Sequence, residues 1–391
     1  MLNVHNWWNG IAKVKAAIQT DANPLRMGVI SAATINYSAI FDPIQTHPGV
    51  ILAGVAARSL QKAEAQIAKY KLKPAKAYGF YDDLLADPNI DAVYIPLPNG
   101  LHCEWTVKAL EAGKHVLIEK PIASNADEVD TIRKASAKSG KVALEAFHWR
   151  FHPAAHTVKA LVEGGKYGSP TSIYAQLCLP KGVLAENDIR FKYSLAGGAC
   201  MDLTYVFSSS CYFASPDLTK CDFKVLDAVP RLNKTEKQVD EAMKSSFVIE
   251  QPGKPAITCQ VEADLAEPKL WGFIPKYWRS TGVVRIEMEK AVIEYNGFIG
   301  PWTNHSIKIT EKEGGKTETQ KCYVGGPQWG VTGEPWWTTY RYQLEAFVGK
   351  INAGSSEAGY TGPWVSLDES HKLMELIDLV YEKAGLPKRG M

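Results

Sequence analysis

Residues 25–35 read LRMGVISAATI and open the first strand-and-helix unit of the chain. An apolar strand over Arg26–Ile30 runs directly into small residues and then into a helix-forming segment. In a doubly wound domain such a turn meets a nucleotide pyrophosphate, because backbone N–H groups at the start of the helix face the phosphates. The usual glycines are replaced here by Ser31 and Ala33. Taken alone, the turn is therefore equally consistent with an ordinary strand-to-helix connection.

Outward from this turn, short apolar runs alternate with helical segments as far as residue 147. The expected strands are Arg26–Ile30, Val50–Ala57, Ala92–Ile95, His115–Ile118 and Val142–Ala146. The expected helices are Ser38–Thr46, Leu60–Tyr70, Cys103–Ala112 and Ala126–Ser139. Alternation with almost continuously apolar strands indicates a parallel sheet covered on both faces. We predict an α/β fold whose residues 25–147 form a Rossmann-type, doubly wound domain.

From residue 148 the pattern changes to strands that follow one another without helices between them. After a helix over Ala154–Glu163, the expected strands are Ser172–Leu179, Phe223–Ala228, Ser246–Glu250, Ile257–Ala263, Val283–Glu289, Val292–Tyr295 and Ser306–Thr310. This predicts a C-terminal α+β domain over residues 148–391, built on a large, mostly antiparallel open sheet. Helices over Tyr340–Ile351 and Leu367–Lys383 close the chain. The helical spacing of Trp336, Tyr340, Leu344 and Phe347 indicates core packing.

Composition narrows the class of protein. The 391 residues suit two domains, and 46% hydrophobic with 22% charged residues is typical of a globular chain. A net charge of +2 gives no field that would attract nucleic acid or an acidic membrane. Seven scattered cysteines indicate free thiols in a reducing compartment. We expect a soluble, cytoplasmic protein with a helical extension over residues 1–24.

The residues after the second expected strand favour NADP(H) as the cofactor. An NAD site usually places Asp or Glu there to accept from the ribose 2′-hydroxyl, whereas this chain has Arg58, Ser59 and then Lys62. A guanidinium and a hydroxyl suit a 2′-phosphate. The alternative is that Arg58 is a solvated residue at a strand end. The expected phosphate contacts are those of the turn itself, namely Ser31, Ala32, Thr34 and Ile35.

Two further segments carry a family resemblance. Residues 93–102 read VYIPLPNGLH and residues 113–121 read GKHVLIEKP. They resemble the Gfo/Idh/MocA oxidoreductases. Within that family, EAFHWRFHP at 145–153, YRYQLEAF at 340–347 and DLVYEKAGLP at 378–387 are most similar to the branch of NADP-dependent D-xylose 1-dehydrogenases and dimeric dihydrodiol dehydrogenases. The resemblance covers nearly the whole chain from Leu25 to Pro387.

The resemblance implies roles for particular residues of the first domain. Lys120 corresponds to the family lysine beside the nicotinamide and the substrate, and Glu119 shapes the turn that carries it. Four residues fall on the loop that borders the nicotinamide ribose: Pro96, Leu97, Asn99 and His102. The resemblance also implies a homodimer formed through the C-terminal sheet.

The remaining chemistry of the family lies after a glycine pair, on a helix that carries Asp and then His or Tyr four residues later. Here Asp202 aligns, but Tyr205 comes three residues after it. One residue is a rotation of about 100° on a helix, so Tyr205 faces the substrate only if the helix is shifted or locally unwound. We take Lys120 and Tyr205 as the catalytic acid/base candidates. Asp202, His148, Arg150 and Tyr193 are the substrate-binding candidates.

The leading functional expectation is an NADP-dependent aldose 1-dehydrogenase of the D-xylose type, which oxidises the anomeric carbon to a lactone. A second hypothesis keeps the fold and the cofactor, but the substrate is a trans-dihydrodiol, a dicarbonyl or a specialised metabolite. A third is a non-catalytic, NADP-sensing regulator. No metal site is proposed, because Pro153 interrupts the helical spacing of His148, His152 and His156.

Overall fold

The computed structural model describes residues 2–354 and 359–390. It begins with two short helices, α1 (Leu2–Trp8) and α2 (Ile11–Ala17). Ile11 anchors them, with 1% of its surface exposed. The Asn6 amide and the Lys15 ammonium both donate to Oδ1 of Asp42, and His5 Nε2 lies 2.9 Å from the Trp336 carbonyl oxygen. The two helices therefore contact both halves of the chain.

Six parallel strands form the first sheet. They are β1 (Leu25–Ile30), β2 (Val50–Ala56), β3 (Lys76–Tyr78), β4 (Ala92–Ile95), β5 (His115–Ile118) and β6 (Ala143–Glu145). Their order is β3-β2-β1-β4-β5-β6, so the chain moves outward in one direction from β1 and then in the other from β4. A crevice opens where this order reverses, at the carboxyl ends of β1 and β4. The predicted doubly wound sheet is confirmed.

Helices cover this sheet, with one difference from expectation. They are α3 (Asp42–Ile44), α4 (Leu60–Tyr70), α5 (Tyr81–Ala86), α6 (His102–Glu111) and α7 (Ala126–Ser139). Instead of one α-helix over Ser38–Thr46, a π-helical turn spans Tyr37–Phe41 and continues into α3. Pro43 has no N–H for the carbonyl of residue 39, so the regular α ladder cannot form there and the turn widens.

Eight strands form the second sheet. They are β7 (Pro170–Pro180), β8 (Asp222–Leu232), β9 (Asp240–Glu250), β10 (Ile257–Glu267), β11 (Val283–Met288), β12 (Ala291–Asn296), β13 (Ser306–Glu311) and β14 (Thr317–Gln320). Their order is β14-β13-β12-β11-β7-β10-β9-β8. Among the described strands of this second sheet, only β7 and β10 pair in parallel; the other neighbours are antiparallel. The predicted large, mostly antiparallel sheet is confirmed.

Five helices accompany the second sheet: α8 (Pro153–Glu163), α9 (Ala199–Asp202), α10 (Tyr205–Ala214), α11 (Thr339–Asn352) and α12 (Leu367–Lys383). The buried helix α10 packs against β7 and β10. At the start of α12, Ser366 and Glu369 form a capping box, and the helix packs on α7 of the first domain. In the described part of the chain, no helix is long and apolar enough to cross a membrane.

The end of the chain returns to the glycine pair that precedes Asp202. Arg389 and Asp240 form an ion pair with both side chains fully buried, at 2.8 Å. Arg389 Nε also donates to the Gly197 carbonyl, and Asp240 Oδ2 accepts from the backbone N–H of Cys200. Gly198 has φ +143°, and a Cβ there would lie 2.1 Å from Asp240 Oδ1. Only glycine fits at this position.

Candidate active site

The turn after β1 adopts a backbone conformation typical of glycine although the residue is serine. Ser31 has φ +140°, a value that L-residues rarely take. Its N–H donates to the Ala56 carbonyl, which ties the turn to the end of β2. Within residues 2–354 and 359–390, the backbone N–H groups of residues 32–35 have no protein acceptor. Small side chains and free N–H groups therefore meet at the crevice, which is the donor set that a phosphate requires.

Two buried amide side chains hold this turn in place. The Asn36 amide donates to the Ser31 carbonyl at 2.8 Å and to Gln66 Oε1 at 3.0 Å, and the Gln66 amide donates to the Ala33 carbonyl. The sequence analysis missed both residues. Asn36 follows the turn directly in the sequence, so its role could have been predicted. Gln66 belongs to α4, and only the fold brings it to the turn after β1.

The residues proposed to hold a 2′-phosphate lie at the carboxyl end of β2. Arg58 and Ser59 are exposed, and the Ser59 hydroxyl caps α4 by accepting from the Lys62 N–H at 3.4 Å. An exposed guanidinium next to a helix N-terminus suits a dianion.

The loop after β4 is fixed by a buried histidine. His102 lies with one ring nitrogen 2.8 Å from the Leu97 carbonyl oxygen and the other 2.7 Å from that of Pro121. Burial lowers the pKa of His102 to about 4. Asn99 donates to the Ala196 carbonyl, so the loop also contacts the second domain. His102 thus connects the loop of residues 96–102 to the turn that carries Lys120.

Glu119 is engaged inside the protein. Its Oε1 accepts from the Tyr94 hydroxyl at 2.6 Å, and its Oε2 accepts from the Lys120 N–H at 3.2 Å. Burial raises the pKa of Glu119. The Glu119 side chain therefore connects Tyr94 of β4 to the backbone of the turn that carries Lys120.

Lys120 and Asp202 meet across the domain boundary. The Lys120 Nζ donates to the Asp202 carbonyl at 2.8 Å and to its Oδ1 at 3.2 Å, with both side chains nearly buried. On the other side of the carboxylate, Arg190 Nε lies 2.9 Å from Oδ2. Burial opposes ionisation of Asp202, but the two cations outweigh it and hold its pKa below the usual value. The sequence analysis missed Arg190, which no motif marks.

The helix that carries Asp202 is broken in the way Tyr205 requires. Helix α9 ends at Asp202, Leu203 leaves helical geometry with φ −98° and ψ 28°, and α10 starts at Tyr205. This local unwinding offsets the missing residue, and the Lys120 Nζ lies 5.0 Å from the centre of the Tyr205 ring. Burial raises the pKa of Tyr205 well above its usual value. The phenol therefore keeps its proton.

His148 joins this cluster through Tyr205. Its Nε2 lies 3.1 Å from the Tyr205 hydroxyl and its Nδ1 lies 2.9 Å from Thr339 Oγ1. The Tyr340 ring packs on the imidazole with centroids 4.2 Å apart. Tyr340 is partly exposed, unlike Leu344 and the other core residues of α11. The sequence analysis predicted core packing for Tyr340 from its helical spacing with Trp336, Leu344 and Phe347, and that spacing did not show that Tyr340 is partly exposed.

Arg150 and Tyr193 are engaged elsewhere. The Arg150 guanidinium stacks 4.1 Å above the Tyr212 ring and donates to Glu369 and to the Trp364 carbonyl. The Tyr193 hydroxyl donates to the Lys388 carbonyl at 2.8 Å. In these positions both side chains join segments of the second domain, and neither contacts the cluster around Lys120.

Comparison with known proteins agrees with this architecture. Residues 25–147 match the model of the Gfo/Idh/MocA oxidoreductase family, which describes an NAD-binding Rossmann fold. A D-xylose 1-dehydrogenase (NADP(+)) of Haloferax volcanii is 29% identical over 92% of this chain and 97% of its own length. A trans-1,2-dihydrobenzene-1,2-diol dehydrogenase of Mus musculus is 29% identical over 66% of this chain and 77% of its own.

Solved structures share the fold. A 3-ketoreductase from Actinomadura kijaniata, in complex with NADP and TDP-benzene, superposes with a TM-score of 0.73 at 21% identity. The match covers 92% of this chain and 98% of the reductase. The resemblance to the Gfo/Idh/MocA oxidoreductases inferred from residues 93–102 and 113–121 is thus confirmed: residues 25–147 match the model of that family, and the similarity to the Haloferax volcanii enzyme extends over 92% of this chain.

Proposed function

We propose that the protein transfers hydride between NADP(H) and a sugar or a small alcohol or carbonyl, most specifically as an aldose 1-dehydrogenase of the D-xylose type. The observation that carries this is the convergence of Lys120, Asp202 and Tyr205 at the carboxyl edge of the first sheet. In this proposal residues 25–147 bind the nucleotide and residues 148–391 bind the substrate. The relative from Haloferax volcanii supports the choice of substrate class.

NADP(H), when bound, supplies or accepts the hydride; the chain's residues handle the proton. Tyr205 gives its proton to the substrate oxygen during reduction and takes it back during oxidation. The Lys120 ammonium, 5.0 Å from the ring centre, lowers the cost of the phenolate that remains. Asp202 keeps Lys120 in position, and Arg190 keeps the carboxylate ionised.

The choice of NADP over NAD rests on Arg58. Because its guanidinium is exposed beside the N-terminus of α4, it is free to pair with a 2′-phosphate. We expect Arg58→Ala to weaken NADP binding about 10-fold to 100-fold, since a charge-assisted hydrogen bond contributes roughly 1.5–3 kcal/mol, and to leave NAD binding nearly unchanged. Fluorescence titration with both nucleotides measures this. Equal losses for the two would contradict an Arg58–phosphate contact.

Reduction of a carbonyl or oxidation of a dihydrodiol is the second candidate. The raised pKa of Tyr205 suits a proton donor, and the partly exposed Tyr340 ring offers a flat apolar wall to an aryl group. The mouse relative supports this substrate class.

The deciding experiment is NADP reduction followed by absorbance with D-xylose, D-glucose and a trans-dihydrodiol, together with NADPH oxidation by dicarbonyls. Lys120→Ala should remove turnover, whereas Lys108→Ala, an exposed lysine of α6, should not. The preferred substrate then separates the two candidates. Tight NADP binding without turnover of any substrate would favour the NADP-sensing regulator.

We also propose a homodimer formed through the outer face of the second sheet. Four aromatic side chains in the loop after β10 are more than half exposed: Trp271, Phe273, Tyr277 and Trp278. Next to them Arg279 pairs with Glu262 and Glu267, so the face combines apolar and charge-paired surface. Trp278→Glu should shift the mass measured by light scattering from two chains to one, and Trp7→Glu should not. A single-chain mass for the wild type would refute the dimer.

A cytoplasmic location is the remaining part of this proposal. All seven cysteines are free thiols, and five of them are buried: Cys178, Cys200, Cys211, Cys221 and Cys259. Such thiols suit a compartment that keeps cysteine reduced. Thiol titration of the unfolded protein, purified without reductant, should give seven groups per chain. A lower number would count against this location.

A further inference from the structure

His148 lies between two hydroxyl groups that the fold brings from distant segments. Its Nε2 is 3.1 Å from the hydroxyl oxygen of Tyr205, the first residue of α10, and its Nδ1 is 2.9 Å from Oγ1 of Thr339, the first residue of α11. All three side chains are buried, with exposed fractions of 8% or less. Tyr340 packs on the imidazole and fixes the plane of the ring.

The imidazole carries one proton in this environment. Burial and the nearby Lys120 ammonium lower the pKa of His148 to about 3, so the neutral ring has one N–H and one lone pair. Two arrangements follow. Either Nε2–H donates to the phenolic oxygen and Thr339 donates to Nδ1, or Nδ1–H donates to Thr339 and Nε2 accepts the Tyr205 proton. Only the first leaves the phenol proton free to point at a substrate.

We propose that Thr339 and His148 form a hydrogen-bond chain, Thr339 Oγ1–H to Nδ1 and Nε2–H to the Tyr205 oxygen, that prepares Tyr205 as the proton donor. This inference rests on the proposed function. His148 and Thr339 are positioning residues in it, because they act through Tyr205. In the sequence analysis His148 was a candidate for substrate contact. In the proposed hydrogen-bond chain it instead positions Tyr205.

The proton balance is simple. When NADPH is bound it would supply the hydride for the carbonyl carbon; on the protein's side, the Tyr205 O–H bond breaks and a new O–H bond forms on the substrate oxygen. The remaining phenolate then accepts from Nε2–H, which already points at it, so no histidine tautomer has to change. Oxidation of an alcohol follows the same steps in reverse. His148 stays neutral throughout.

The surroundings make such a donor necessary. Tyr205 faces two cations, Lys120 and Arg190, two carboxylates, Glu119 and Asp202, and the Tyr340 phenol. Burial raises the pKa of Tyr205 most, the neighbouring Tyr340, Glu119 and Asp202 raise it further, and Arg190 lowers it. A neutral N–H donor stabilises the phenolate without adding a charge that would disturb the Lys120–Asp202 pair.

Matched variants test the chain in the full-length enzyme. Thr339→Val keeps the shape and removes the hydroxyl that donates to Nδ1, so the ring proton is no longer held on Nε2. We expect kcat to fall about 10-fold, because the hydrogen bond from Nε2–H to the charged Tyr205 phenolate contributes roughly 1.5 kcal/mol or more. KM and the NADP dissociation constant should change less than about twofold. Thr339→Ser should recover most of the loss. His148→Leu should lower kcat further, and His148→Gln, which retains an N–H donor, should recover part of it.

A pH profile separates this role from a purely structural one. Without the donor, the Tyr205 phenolate costs more, so the alkaline-rising limb of kcat for alcohol oxidation should move to higher pH by about one unit in Thr339→Val. An unchanged limb with an unchanged kcat would overturn the proposal, and so would an equal loss in Thr339→Ser.

Nitrogen-15 NMR of histidine-labelled protein gives a test that needs no turnover. With His148 assigned by comparison with His148→Gln, the wild-type ring should carry its proton on Nε2, and Thr339→Val should weaken that preference. A proton on Nδ1 would overturn the proposal. Absence of turnover with every substrate would refute the proposed function instead, which keeps the two failures distinct.

Discussion

Ser31 shows how one residue can keep a backbone geometry that its side chain disfavours. Its φ of +140° is accessible to glycine at little cost, and a serine there stores about 1–3 kcal/mol of strain. Asn36 and Gln66 hold the turn against that strain. The serine therefore makes the nucleotide-binding signature harder to recognise in the sequence, whereas the backbone of the turn keeps a shape typical of glycine.

Replacing Ser31 by glycine should stabilise the protein. We expect Ser31→Gly to raise the free energy of unfolding by about 0.5–1 kcal/mol, because relief of the strain exceeds the extra flexibility of glycine in the unfolded chain. Ser31→Ala, which keeps a Cβ, is the control and should give no gain. Urea unfolding measures both, and a destabilised Ser31→Gly would show that the turn is unstrained.

Arg190 and Lys120 share one carboxylate, so each controls the ionisation of Asp202. Removing the Arg190 charge in Arg190→Met raises the pKa of Asp202, and activity should then begin to fail at a higher pH on the acid side. The pH dependence of kcat/KM reports this shift. Arg133→Met, which removes a half-exposed arginine of α7, should leave the acid limb in place. An unmoved limb in Arg190→Met would contradict the coupling.

For single residues, the sequence analysis identified those that lie in linear motifs and missed those that only the fold brings to the site. Lys120 and Asp202 could be placed by their neighbours in the chain. Tyr205 lies one residue closer to Asp202 than in the family pattern. The sequence analysis stated that it could face the substrate only if the helix were interrupted, and the structure has such a break between α9 and α10. Arg190 and Thr339 have no local signature, because their roles depend on tertiary contacts. Arg190 contacts Asp202, and Thr339 contacts His148, which lies 191 positions earlier in the chain.

Among the elements, the N-terminal helices are held by one carboxylate. Asp42 is buried and accepts from both Lys15 and Asn6, and Ile11 of α2 is also buried. Lys15→Met should lower the free energy of unfolding by about 1–2 kcal/mol, because it leaves a buried carboxylate with a weaker set of partners. Adding Asp42→Asn should recover part of this loss. Chemical unfolding of the two variants decides, and additive losses would rule out the pairing.

Strand prediction succeeded where an apolar run marks the strand and failed at two edge strands that lack such a run. The edge strands β3 and β14 have only three and four residues; β3 buries only Tyr78 and β14 buries none, so no hydrophobic pattern marks either. The π-helical turn at Tyr37–Phe41 escaped for another reason. Its cause, Pro43, was visible in the sequence, but proline is also common in the first turn of an ordinary helix.

For the molecule as a whole, buried histidines make stability depend on pH. Burial lowers the pKa of His102 and His156 to about 4 and that of His148 to about 3, whereas in the unfolded chain each titrates near 6.5. Below pH 6.5 the unfolded state therefore binds more protons. Stability is fully present above pH 6.5 and is lost as the pH falls toward 4, at up to about 1.4 kcal/mol per pH unit for each histidine.

Urea unfolding at pH 5 and pH 7.5 measures this effect. We expect a clearly lower midpoint at pH 5, with most of the loss reversed on return to neutral pH. Equal midpoints would mean that these histidines can ionise within the folded protein, which would also weaken the argument for a neutral His148.

The ion pair between Arg389 and Asp240 has a consequence for synthesis on the ribosome. The first sheet is complete by Glu145, so its nucleotide edge can fold while the rest of the chain is still being made. The turn before Asp202, by contrast, is braced through Asp240 by a residue almost two hundred positions downstream. A nascent chain can therefore complete the first sheet early, but the turn before Asp202 gains this brace only after translation has passed Arg389.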